Sequence, residues 1–106
     1  MQISVQDVHA KLQSGEPLLL LDVRNPEEYA ICKLEGSQLI PLGELVGRVG
    51  EIEVGSQEPI IVYCHHGVRS LHATMFLKQS GFENVLSMTG GIDAWSMQID
   101  PATKRY

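Results

Sequence analysis

Pro59-Ile60-Ile61-Val62-Tyr63-Cys64-His65-His66-Gly67-Val68-Arg69-Ser70 is the stretch on which the reading of this chain turns. Its first part is short, apolar and rich in β-branched residues, and it predicts a buried strand ending at Tyr63. From about Val68 to Ser80 the spacing becomes helical, with Ala73, Phe76 and Leu77 on one face and Gly81 as the stop. Cys64 therefore sits where a strand hands over to a helix. Loop amides and a helix N-terminus both offer positive partial charge there. A thiol so placed is favoured as thiolate and becomes a nucleophile. The bland alternative is a small apolar residue at a strand end; Gly67, Arg69 and Ser70 alongside weigh against it.

Working outward, Leu18-Leu19-Leu20-Leu21-Asp22-Val23 reads as a second strand buried on both faces, the mark of a parallel sheet. Before it, Ser4 is a candidate N-cap for a helix carrying Val5, Val8 and Leu12, stopped by Gly15 and Pro17. After it, Asn25-Pro26-Glu27-Glu28 has the form of a cap, an N1 proline and two acids, so a short helix starts there. Gln38-Leu39-Ile40 is a brief strand candidate. Leu42 to Val49 has helical spacing weakened by Gly43 and Gly47. Residues 50–57 read as loop, with an alternation of Ile52 and Val54 that also suits an edge strand. Asn84 to Ser87 is a further strand, and Gly90-Gly91 turns the chain into a short helix from Ile92 to Met97. Strands alternating with helices predict an α/β fold on a parallel sheet. In such sheets ligands bind beyond the carboxyl ends of the strands, where Cys64 lies.

The chain has 106 residues, enough for one domain with one core and little more. A formal net charge of -5 argues against nucleic acid as a partner. The two cysteines, Cys32 and Cys64, are too few for a disulfide framework and lack the paired spacing of a zinc site. No apolar run approaches the roughly 20 residues of a membrane span, and the N-terminus lacks the pattern of a signal peptide. A cytoplasmic monomer with free thiols is the expectation.

A loop of Cys64 to Arg69 with its amides turned inward would make a nest for an anion. It would hold a Cys64 thiolate and, equally, a second anionic sulfur attached to it. Gly67 supplies backbone freedom. Arg69 would either attract an anionic substrate or turn inward and tie the loop down. Ser70 would cap the helix or donate to the sulfur. His65 and His66 are expected as exposed loop residues that add charge when protonated. Metal ligation by this pair is not expected, because adjacent residues on an extended loop diverge. His9 and His72 are expected on the surface. Four residues separate Cys64 from Arg69, one fewer than in the loop of cysteine phosphatases. The tighter ring of amides suits a single sulfur better than a tetrahedral phosphate.

On these residues the chain resembles the single-domain rhodanese family. Leu20-Leu21-Asp22-Val23-Arg24-Asn25-Pro26-Glu27-Glu28-Tyr29 is similar to the family's first signature segment. Gly36 and Ile40-Pro41 resemble its continuation, and Tyr63 to Ser70 its active-site loop. Gly81-Phe82, Val85, Gly90-Gly91, Trp95 and the ending Ile99-Asp100-Pro101 to Arg105-Tyr106 match the closing pattern. The chain departs from the family at Cys32, Lys33 and Glu35, which take the places of a glycine, a histidine and a proline. Cys32 is either a resolving thiol for Cys64 or an unreactive, partly buried cysteine.

The resemblance implies one domain over residues 1–106, with a five-stranded parallel sheet flanked by helices on both faces. It implies a sulfurtransferase in which Cys64 takes the outer sulfur of thiosulfate, holds it as a persulfide in the cradle of His65, His66, Gly67, Val68, Arg69 and Ser70, and passes it to cyanide or a thiol. Asp22 and Arg24 would support the site, Trp95 would serve as core or pocket wall, and no metal or organic cofactor would be needed. The alternative in the same family is a sulfur-relay module that accepts persulfide from a protein donor. A phosphatase on the same fold is disfavoured by the loop length, and an inactive binding domain by the intact Cys64.

Overall fold

The computed structural model describes residues 1–106. Strand β1 covers Gln2–Ile3, β2 Leu19–Asp22, β3 Gln38–Leu39, β4 Ile60–Tyr63 and β5 Val85–Met88. They form one sheet in the order β1-β5-β4-β2-β3, and every pair is parallel. Helix α1 runs Val5–Ser14, α2 Pro26–Ile31, α3 Leu45–Arg48, α4 Val68–Gln79 and α5 Gly91–Gln98.

The strand sequences are apolar without alternation because both faces are covered. Leu20, Ile61 and Tyr63 point into one core with Val5 and Val8 of α1 and Ile92 and Trp95 of α5. Leu21, Ile60 and Val62 point into the other with Leu45 of α3 and Ala73 and Leu77 of α4. Burying side chains of this size is worth about 1.5–3 kcal/mol each, so the two cores drive folding. Trp95 is a core residue, as expected.

One element was missed, one helix is broken up, and one stretch keeps its reading as loop. β1 was not foreseen: two residues are too short to show a period, and they pair with Ser87 and Met88 only through the tertiary fold. Residues 42–49 do not make one helix. The chain winds as a 3₁₀ turn at Leu42–Glu44, the single turn α3, and a second 3₁₀ turn at Val49–Glu51, in keeping with the low helix propensity of Gly43, Gly47 and Gly50. Ile52 and Val54 form no strand; Ile52 instead fills the core beneath α4.

Other local predictions hold. Ser4 Oγ accepts the Asp7 amide at 3.1 Å as an N-cap, and Glu28 at N3 of α2 accepts the Asn25 amide at 3.1 Å, half of a capping box. β2, β4 and β5 all end at one edge of the sheet. That end gathers Arg24, Cys64 and Gly90-Gly91 within three residues of their strand ends.

Candidate functional site

Cys64 follows β4 directly and is only 1% exposed. Its Sγ accepts the amides of Gly67 at 3.1 Å and Ser70 at 3.3 Å. The thiol proton lies toward Ser70 Oγ, 3.5 Å away. Ser70 Oγ donates to the Gly67 carbonyl oxygen at 3.1 Å and lies 2.7 Å from Ser87 Oγ. A hydroxyl has one proton, so with Ser70 facing Gly67 it is Ser87 that donates to Ser70. Once the sulfur loses its proton, Ser70 can turn its own toward it. Of the amides of His65 to Arg69 expected to line the cradle, that of Gly67 reaches the sulfur; the second donor, the Ser70 amide, lies just beyond that stretch.

Helix α5 sets the shape of the loop. The Ile92 amide donates to the Cys64 carbonyl at 2.9 Å, and the Asp93 amide to the His65 carbonyl at 3.1 Å. Because each peptide is planar and trans, the N–H groups of His65 and His66 then point away from α5. The approach is close: a Cβ at Gly91 would overlap the carbonyl oxygens of both Cys64 and His65. Gly67 itself has φ 111°, a left-handed value that glycine adopts without strain.

Arg24 and Asp22 are both fully buried. Arg24 Nη2 donates to Asp22 Oδ2 at 2.7 Å and Nε to Oδ1 at 3.0 Å, while the Arg24 amide donates to Oδ1 at 2.9 Å. The remaining guanidinium protons reach the Cys32 carbonyl at 2.6 Å, the Glu28 carbonyl at 3.3 Å and Tyr106 Oη at 3.0 Å. Burial opposes the Arg24 charge, but the bonds to Asp22 and Tyr106 outweigh it and hold the guanidinium cationic.

Tyr106 links this buried pair to a second one. Its hydroxyl donates to Glu28 Oε2 at 2.7 Å. Glu28 is the clamp on Arg69, whose Nη1 and Nη2 donate to Oε1 at 2.7 Å and Oε2 at 2.9 Å. Arg69 holds Glu28 down to about 2 against the opposing effect of burial. Of the two roles foreseen for Arg69, the tie is the one seen. Glu28 and Tyr106 were not foreseen as site residues. Glu28 was legible as a helix-starting acid, but nothing local to either residue signals that the fold brings them together.

The histidines depart from expectation. His66 is exposed, but His65 is half-buried, and Tyr106 stacks on it with ring centroids 3.8 Å apart and planes 11° from parallel. The adjacent rings do not diverge: the centroids of His65 and His66 lie 3.8 Å apart. His9 is half-buried, edge-on to Trp95, whereas His72 is exposed as expected. Both thiols are free, and Cys32 Sγ lies 3.8 Å from Arg24 Nη1. Val68, expected both on the loop and at the start of the helix, is the first residue of α4 and is exposed. The largest hollows lie elsewhere. One of about 300 Å³, lined by residues such as Ser56, Glu58, Phe82 and Asn84, is at the opposite edge of the sheet, before β4 and β5.

A buried sulfur that accepts two backbone amides thus stands at the carboxyl end of the central strand. Residues 4–98 match the model of the rhodanese-like domain. The chain belongs to the rhodanese-like family. This rhodanese-like domain is 35% identical over 104 residues to the probable adenylyltransferase/sulfurtransferase MoeZ of Mycobacterium tuberculosis, covering 98% of this chain and 26% of that protein. It is 36% identical over 95 residues to the putative sulfur carrier protein YrkF of Bacillus subtilis, covering 90% of this chain and 50% of that one. The chain thus spans half or less of the length of these relatives. The crystal structure of a rhodanese-related protein from Thermoplasma volcanium superposes with a TM-score of 0.82 at 31% identity, covering 92% of each chain. The family is one of sulfurtransferases and sulfur carriers. No helix of the rhodanese-like domain is long and apolar enough to cross a membrane.

Proposed function

We propose that this domain carries sulfane sulfur as a persulfide on Cys64. The observation that supports the reading is the pair of amides, Gly67 and Ser70, converging on Cys64 Sγ. In the first step the Cys64 thiolate attacks the outer sulfur of thiosulfate. A sulfur–sulfur bond forms at Sγ, the bond between the two thiosulfate sulfurs breaks, and its electron pair leaves with sulfite. The loop amides then face a persulfide anion, whose reacting atom stands about 2.05 Å beyond Sγ. In the second step an acceptor thiolate or cyanide attacks that outer sulfur and returns the electrons to Cys64. Asp22 and Arg24 hold the surrounding loops, and the sequence 64–70 forms the cradle. No metal or organic cofactor enters these steps.

A second reading has its own support. Both terminal nitrogens of Arg69 are engaged by Glu28, so the one loop cation expected to attract dianionic thiosulfate is already neutralised. A protein persulfide needs no such cation. A sulfur-relay role, with persulfide arriving from a partner protein, fits this arrangement and the name of the sulfur carrier YrkF.

Intact mass after incubation with thiosulfate tests the proposal, with Cys64→Ser beside the wild type. A gain of one sulfur in the wild type alone is expected. A gain in the variant as well would overturn the role of Cys64. No gain in a folded, reduced wild type, with a gain from a persulfidated protein donor, would leave the relay.

A further inference from the structure

One side-chain polar atom in the protein is buried without a hydrogen-bond partner: His65 Nε2. Buried polar groups in folded proteins are rarely left this way. Its residue is one of three metal-binding side chains that converge beside the Cys64 loop. His65, His66 and Asp93 each offer a ligand atom, and these atoms lie within 4.8 Å of one another. We propose that His65, His66 and Asp93 bind a divalent transition ion of the zinc class on the flank of the Cys64 loop.

The donor set is right for such an ion: two imidazoles and one carboxylate suit zinc, cobalt or nickel better than calcium or magnesium. Three protein ligands leave a fourth position for water or an anion. Ligands on one tetrahedral ion stand about 3.3–3.6 Å apart. His66 Nε2 is 3.8 Å from Asp93 Oδ2. The three ligand atoms spread to as much as 4.8 Å, and His66, 64% exposed, is the side chain free to swing and close the gap. His65 is fixed by the Tyr106 ring stacked on it. Asp93 is fixed by its place in the first turn of α5, whose amides hold the loop.

Arg105 is the ion's competitor. Its Nε donates to Asp93 Oδ1 at 2.9 Å and its Nη2 to Oδ2 at 3.4 Å, so the oxygen nearer His66 is the more weakly held.

The site does not depend on the sulfur chemistry, and a thiol-free protein tests it. In a Cys32→Ser/Cys64→Ser protein, cobalt(II) should bind at one ion per chain, with the visible absorption of a tetrahedral nitrogen and oxygen site, and zinc should displace it. His66→Ala and Asp93→Asn should each weaken binding roughly tenfold or more. Arg105→Ala should tighten it by releasing the carboxylate. His72→Ala, an exposed histidine on α4, should leave it unchanged. No uptake from millimolar cobalt would overturn the site. So would an affinity unaltered in His66→Ala, a folded variant because the side chain is exposed, or a weaker affinity in Arg105→Ala.

Discussion

At the scale of single residues, the site depends on two carboxylates that each neutralise an arginine. Asp22 is the counter-ion of a guanidinium with no exposure at all. Removing one partner of a buried ion pair typically costs about 3–5 kcal/mol, because the other charge stays buried and unpaired. Asp22→Asn is therefore expected to lose stability of that order, read from urea denaturation; a loss under about 1 kcal/mol would mean that water reaches Arg24. Glu28 works differently, since its partner Arg69 is a third exposed. Glu28→Gln should cost on the order of 2 kcal/mol, less than the loss of Asp22, and release the Arg69 fork toward the loop. On the proposed chemistry the Michaelis constant for thiosulfate should then fall severalfold with turnover little changed. An unchanged constant would assign Arg69 a purely structural part.

At the scale of elements, α5 is less a helix against the sheet than the support of the Cys64 loop. Its first amides take the loop carbonyls, and that contact is possible only with glycine at its first position. Gly91→Ala would drive a methyl group into two backbone oxygens at a φ of 63°. We expect a loss above about 4 kcal/mol or failure to fold, measured as the thermal midpoint. Gly43→Ala is the comparison. It lies in a 3₁₀ turn with no positive φ, and its Cβ would meet no atom within 4 Å. That change should be neutral or stabilise by up to about 1 kcal/mol. Equal effects of the two would show that glycine content, not the docking of α5, governs the loop.

At the scale of the whole molecule, Glu28 joins α2, α4 and the C-terminal residues through Asn25, Arg69 and Tyr106. Its folded pKa of about 2 lies below the ordinary 4.5. The unfolded chain therefore takes up its proton first as pH falls. The contribution is complete above about 4.5 and is lost as pH drops toward 2. The wild type should lose on the order of 2 kcal/mol across that window from this group, discounted for the partial exposure of Arg69. Glu28→Gln should flatten the slope in urea denaturation at successive pH values. A slope equal in both proteins would place the acid sensitivity on other carboxylates.

The sequence by itself determined the α/β alternation on a parallel sheet, the α2 cap at Asn25 to Glu28, and the position of Cys64 where β4 meets α4. These features rest on local signals: a hydrophobic period, a proline at N1, a glycine where φ is positive. Tertiary structure alone decided the rest. It paired the two residues of β1 with β5, turned Arg69 onto Glu28, brought Tyr106 onto His65, and set His66 beside Asp93. The reason is physical. Each of these contacts joins residues far apart in the chain, and its geometry is fixed by how helices pack on the sheet, a property that no window of neighbouring residues contains.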